Sequence, residues 1–277
     1  MTSAKLGIFA LLMSLFVATV LGCAKGEDDE DATVNGNTPG GSSTTTGGGD
    51  DDDADDDTDD DTDDGIVTVA TVFQSSVWAN DVYASLFDEV GWQSYNVLLT
   101  DMPETAVDTA DLILVDAFTI WQDAATAEFL ADTGLPIIGM GSGGLQLFEL
   151  MGLESSFANT NGIIYDFQDT FTVPDASHPV FTEPVDFSEF LADGDSLDVL
   201  NTATDLFGVN LDPVPAGVKV IATREFDESR GGILLEDSKY MSWGLDLSAD
   251  QLNDTGSALL VNCVAYLTDS GDDFGVE

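Results

Sequence analysis

Two short runs limit what this chain can fold into more than any other feature: Leu112–Val115 (LILV) and Leu135–Met140 (LPIIGM). A strand with one wet face alternates apolar and polar residues, whereas a strand that is apolar throughout must be covered on both sides. Such runs separated by helical segments point to a parallel sheet between two helix layers. The neighbouring segments fit this pattern. Ile66–Phe73 (IVTVATVF) reads as a first strand. Asn80-Asp81 suits a helix cap, followed by Val82, Tyr83, Leu86 and Val90 on one face and by Gly91 as terminator. Tyr95–Leu99 reads as a second strand, Asp123–Ala131 as a helix, and Leu145–Met151 as a helix stopped by Gly152. Strands dominate the second half: Ile163–Val173 as one strand or a bent pair, then Val218–Arg224, Gly232–Glu236 and Tyr240–Trp243, the last two joined by a turn at Asp237-Ser238. A closing helix from Thr255 to Leu267 spaces its apolar residues so that Cys263 packs in the core. The fold class is α/β, a mostly parallel sheet with helices on both faces and a strand-rich second half.

This pattern begins only at Gly65. Residues 1–22 have a cationic start, an apolar run (Leu6–Leu21) and small residues at its end, the layout of a secretory signal. The run is shorter than the roughly 20 residues a membrane-spanning helix needs. Residues 23–64 lack any core-forming pattern: Gly, Ser, Thr and Asn fill 33–49, and 50–64 is nearly all Asp. Such a segment cannot bury enough apolar surface to offset its ordering entropy, and like-charge repulsion extends it. Fully stretched, residues 24–64 could reach at most ~140 Å. The segment reads as a tether. Aspartates also suit calcium, which leaves Ca2+-dependent adhesion as an alternative. The spacing does not fit an EF-hand: counting from Asp60 with Gly65 sixth, Thr62 falls on a ligand position and no Glu stands twelfth. Residues 65–269 form the domain and 270–277 an acidic tail.

Charge excludes whole classes of partner. The 277 residues contain 53 Asp and Glu against 6 Lys and Arg, a net charge of -47. Of the acids, 17 precede Gly65 and 36 follow it, where they face only Lys219, Arg224, Arg230 and Lys239. A nucleic-acid partner needs cations to neutralise phosphate, so none is expected. Two Cys and one His leave no basis for a Cys- or His-rich metal centre. No cofactor is expected.

Two resemblances add to this reading. Val20-Leu21-Gly22-Cys23 resembles the bacterial lipobox, which implies acylation of Cys23 and a membrane partner through the acylated N-terminus. Ala24 in place of Asp after that Cys implies the outer membrane of the cell envelope. Residues from about 66 to 268 resemble class I glutamine amidotransferase-like domains, which implies a flavodoxin-like architecture. The strongest segment is Pro136-Ile137-Ile138-Gly139-Met140-Gly141-Ser142-Gly143-Gly144-Leu145-Gln146, where the family has a strand, a tight elbow and a nucleophilic Cys. The closing hairpin and helix (Tyr240–Gly244, then Gly256, Leu259, Leu260, Asn262 and Tyr266-Leu267) and Ser177-His178-Pro179-Val180 are similar to trehalose-utilisation (ThuA-like) relatives.

The family's chemistry does not follow the resemblance. The nucleophile position falls on Gly141. The family's His-Pro-Glu falls near Leu245-Asp246-Leu247, and its oxyanion glycines fall on Asp116-Ala117-Phe118-Thr119. The expectation is therefore a non-catalytic binding or interaction module. The catalytic alternative is a serine hydrolase, with Ser142 as nucleophile, His178 as base, and the amides of Gly143 and Gly144 as oxyanion donors. Without catalysis, the amides at the elbow (Gly141, Ser142, Gly143, Gly144) could hold an anionic or polar ligand. Equally, the glycines could serve only close strand–helix packing. Of the four tryptophans, Trp78 and Trp121 follow predicted strands at the carboxyl end of the sheet, where ligands of such folds bind. By resemblance to sugar-linked relatives they would line a saccharide cleft; an envelope protein is the other expected ligand. Trp243 reads as core.

Overall fold

The computed structural model describes residues 66–74, 77–102, 107–160, 164–247 and 249–269. They lie in a compact unit that begins at Ile66. The signal segment, Cys23, the aspartate run 50–64 and the tail 270–277 lie outside the described residues.

The elements in chain order are β1 (Thr68–Phe73), α1 (Val77–Glu89), β2 (Gln93–Leu98), β3 (Leu112–Val115), α2 (Ala124–Asp132), β4 (Ile137–Met140), α3 (Gly141–Met151), β5 (Ile164–Gln168) and β6 (Thr170–Thr172). Then come β7 (Ser196–Asp198), β8 (Thr204–Leu206), β9 (Val209–Asn210), β10 (Val218–Arg224), β11 (Asp227–Glu236), β12 (Tyr240–Trp243) and α4 (Asp254–Asp269). A ten-stranded sheet runs β2-β1-β3-β4-β12-β11-β10-β6-β7, with β9 beside β11, while β5 and β8 form a separate pair. From β2 to β12 every pairing is parallel. From β12 to β7 every pairing is antiparallel. The parallel half therefore has the flavodoxin strand order, with its switch point between β1 and β3. The fold is α/β, with a strand-rich second half.

The apolar runs behave as their composition requires. All four residues of β3 and all four of β4 are buried. Ile113, Val115 and Ile137 join Ala70 and Val72 in a core with Ala127 and Leu130 of α2 and Leu147 and Phe148 of α3. The alternate residues Val69, Leu112, Leu114, Ile138 and Met140 are equally buried and face the other side. There α4 lies against β3. The helix ends follow local chemistry. Asp123 caps α2 by accepting from Thr126 N (3.0 Å), and Gly152 (φ 78°) closes α3.

Several expectations shift. The helix after β1 starts at Val77, so Asn80-Asp81 lies inside it rather than at its cap. Helix α3 starts at Gly141, directly from β4, not at Leu145. The segment 163–173 contains two strands in different sheets, and β11 starts at Asp227, five residues before Gly232. Strands β7, β8 and β9 leave no mark in the sequence pattern; at two or three residues each, they are too short to carry a period.

Candidate functional site

The elbow is the place where β4 turns into α3 with no residue between them. Gly141 makes the turn at φ 48°, a left-handed conformation that favours glycine. Glycine is also required by crowding there. A Cβ on Gly141 would meet Asp246 Oδ1 at 2.6 Å, Ala117 Cβ at 2.8 Å and Asp246 Cα at 2.8 Å. The space that a nucleophile's side chain would need is thus filled by the carboxylate of Asp246.

That carboxylate is bound into the elbow. Its Oδ1 accepts from Ser142 N (3.1 Å) and from Ser142 Oγ (2.9 Å). The Ser142 hydroxyl also lies 3.0 Å from Ala117 O. Gly143 N donates to Ala117 O (2.7 Å). The first amides of a helix lack intrahelical partners and attract anions. In this helix two of them are satisfied from within the chain, one by an aspartate and one by the loop after β3. The other glycines serve contact. A Cβ on Gly144 would run into the backbone of Gly139, and one on Gly143 into the carbonyl of Asp116. Of the two readings of the glycine-rich turn, close packing accounts for Gly143 and Gly144, and an internal anion occupies Ser142 N.

Acidic groups surround this plug. Asp116, 2% exposed, directly follows β3; its Oδ2 accepts from Phe118 N (3.1 Å), and its Oδ1 is buried without a hydrogen-bond partner. Burial raises its pKa from 3.8 to about 6, with the charge of Asp246 adding to the shift and the Phe118 N–H opposing it. Asp246 is also shifted upward, chiefly by burial and further by Asp205, against the pull of the two Ser142 bonds. Burial likewise raises the Tyr83 phenol, with Asp116 and Asp250 adding. Among the described residues, no group of three or more His, Cys, Asp or Glu is arranged to hold a metal ion.

The other candidates are placed elsewhere. His178 is not a partner of Ser142. It caps a short 3-10 turn (Pro179–Phe181), its Nδ1 accepting from Val180 N (3.2 Å), and its ring packs on Tyr266 at 5.1 Å. Nδ1 is thereby engaged as an acceptor, and the neutral ring carries its proton on Nε2, which is buried without a partner. Burial, helped by Lys219 and opposed by Asp175, lowers its pKa from 6.5 to about 4. Asn262 of α4 holds the same segment, donating to Val180 O and Val185 O and accepting from Val185 N. Trp121 does not line a cleft. It is 5% exposed, and its indole N–H donates to Gly143 O (2.8 Å), so it braces the elbow from below the surface. Trp78 falls in the first turn of α1, not on a loop, and its side chain lies outside the described residues. Trp243 and Cys263 are fully buried, and burial pushes the Cys263 thiol far above its usual range. Concavities of 270 and 590 Å³ on the described surface are lined by Val107, Phe129 and Leu135 and by Ala84, Trp92 and Gln93, away from the elbow.

The residue that sequence reasoning passed over is Asp246. Its only signal was its fall on the stretch that the family fills with His-Pro-Glu. Nothing in the sequence showed that its side chain turns back across 104 residues to Ser142.

No family model matches this chain, and no curated protein matches it. Among solved structures, this chain is similar to the following. A proposed GMP synthase component from Thermoplasma acidophilum is 10% identical, covering 74% of this chain and 96% of that one, with a TM-score of 0.47. PurLQS from Thermotoga maritima is 14% identical over 73% and 99%, with a TM-score of 0.46. A glutamine amidotransferase from Thermotoga maritima is 12% identical over 74% and 83%, with a TM-score of 0.40.

Proposed function

We propose that this chain is a lipid-anchored envelope protein whose domain derives from the glutamine amidotransferase-like architecture, on the ThuA-like side, and acts without catalysis as a binding or interaction module. One observation carries the catalytic silence: Asp246 Oδ1 stands where a side chain at Gly141 would stand and takes both the amide and the hydroxyl of Ser142. A nucleophile needs a base to remove its proton and free amides to receive the oxyanion. Here Gly141 has no nucleophile to offer, and the elbow amides that would receive an oxyanion are taken, Ser142 N by Asp246 and Gly143 N by Ala117. The lipobox-like Val20–Cys23 and the acidic segment after it support anchoring at Cys23 and a tether that holds the domain away from the bilayer, with the outer membrane as the site of attachment. The ligand, an envelope protein or a saccharide, meets a surface other than the elbow.

Two measurements test the reading. A fluorophosphonate probe should label the wild-type chain no more than a Ser142→Ala variant. Turnover of any ester, amide or glutamine substrate that disappears with Ser142 would end the non-catalytic assignment. Mass spectrometry of the purified mature chain should find an acylated Cys23 as its first residue. A mature chain released without acyl groups would remove the anchor.

A further inference from the structure

The two ends of the ten-stranded sheet are finished differently. At one end β7 has three residues, and its exposed Ser196 and Asp198 follow the exposed Asp193 and Asp195. A short, charged edge of this kind resists further pairing. At the other end β2 runs for six residues, and no described strand pairs with its outer side. From Gly91 to Thr100 there is no charge and no proline, in a chain that is 21% charged. Gln93 N donates to Val67 O (2.9 Å). Alternation along the strand therefore turns Gln93, Tyr95 and Val97 toward β1 and points the N–H and C=O groups of Ser94, Asn96 and Leu98 outward. The concavity of 590 Å³ lies beside this edge, lined by Ala84, Ser85 and Asp88 of α1 and by Trp92, Gln93 and Ser94.

We propose that the outer edge of β2 is a self-association surface, where β2 of a second copy pairs antiparallel about a two-fold axis and continues the sheet across two molecules. Two features select a second copy. An isologous pairing sets the same row of donors and acceptors against itself, so it is complementary by symmetry. Like-charge repulsion sets where two copies can meet. With 36 acids and four cations after Gly65, most of the surface repels another copy; β2 itself carries no charge, and with the exposed Asp88 and Glu89 of α1 beside it the edge is a place of lower repulsion, not of none. The inference is independent of the elbow and of the lipid anchor.

The test is the mass of the full chain by sedimentation equilibrium in density-matched detergent, from ~1 to ~100 µM, at low salt and at about 0.5 M NaCl. A monomer–dimer equilibrium that tightens with salt is expected. Asn96→Lys keeps the backbone N–H but sets like charges across the axis, and should weaken the dimer at least ~10-fold. Asn96→Pro, which deletes an outward N–H, should do the same, while Ser196→Lys on the opposite edge should change nothing. A chain that stays monomeric at both salts overturns the proposal, even if an unrelated extended peptide binds the edge. A dimer that ignores Asn96→Lys overturns it as well.

Discussion

Replacing Gly141 by Ala tests the plugged elbow through stability. The substitution carries two penalties. The backbone there has φ 48°, and a left-handed conformation costs a residue with a Cβ roughly 1–2 kcal/mol. The new methyl also meets Asp246 Oδ1 at 2.6 Å and Ala117 Cβ and Asp246 Cα at 2.8 Å; overpacking of this kind costs about 1–3 kcal/mol. Gly141→Ala should therefore destabilise the domain by about 2–5 kcal/mol. Asp246→Ala alone gives up two hydrogen bonds but also removes a carboxylate that its site disfavours in the charged form. Its cost should be about 1 kcal/mol. In the double variant Oδ1 is gone, while the contacts with Ala117 Cβ and the Cα of residue 246 remain. The second substitution should then recover part of what the first lost, with a coupling of about 1 kcal/mol or more. Urea unfolding of the four proteins at neutral pH, analysed with a common m-value, measures this directly. Additivity of the two substitutions to within about 0.5 kcal/mol would show that the carboxylate does not occupy the space beside Gly141.

Other outcomes follow from the same geometry. The Asp116 pKa is raised above its unfolded value, to about 6, so its ionised form opposes folding above that pH and the penalty fades as pH falls toward 4. Asp116→Asn keeps an oxygen for Phe118 N, and should raise stability at pH 7–8 by up to about 3 kcal/mol, with no gain at pH 4, in denaturant titrations across pH. His178 moves the other way: its pKa of about 4 means that stability is full above 6.5 and is lost as pH falls toward 4. As the chain has one histidine, its single imidazole C2–H NMR signal should hold its neutral position from pH 8 to 5.5 and move with a midpoint near 4. Gly144→Ala should cost at least about 3 kcal/mol or prevent folding, since its Cβ meets the backbone of Gly139. Gly152→Ala, at φ 78° with open space around the site, should cost only about 1–2 kcal/mol in the same unfolding assay.

The parallel half of the fold was legible because its signals are dense and local. Leu112–Val115 read as a strand covered on both faces, and Tyr240–Trp243 was bounded as it stands in the structure; in the antiparallel half Val218–Arg224 was bounded correctly too. The small strands β7, β8 and β9 were not legible, because their pairing partners rather than their residues define them. The elbow was marked by the resemblance at Pro136–Gln146, carried by its glycines and its place after a buried strand. Its contents were not, because Asp246 comes to Ser142 through the return of β12 beside β4, a contact that no local pattern encodes. Trp121 shows the same limit. Its position after β3 suggested an exposed ring, but the loop folds under, and its indole reaches the carbonyl of Gly143.

Native-state hydrogen exchange at the elbow amides is the most direct measurement of an internally sealed site. In the wild-type chain, the N–H groups of Ser142 and Gly143 should exchange as slowly as those of the buried strand β4. In Asp246→Ala, Ser142 alone should become fast, because Gly143 keeps its bond to Ala117. Rapid exchange of both amides in the wild-type chain would mean an open elbow, with donors free for a ligand or an oxyanion.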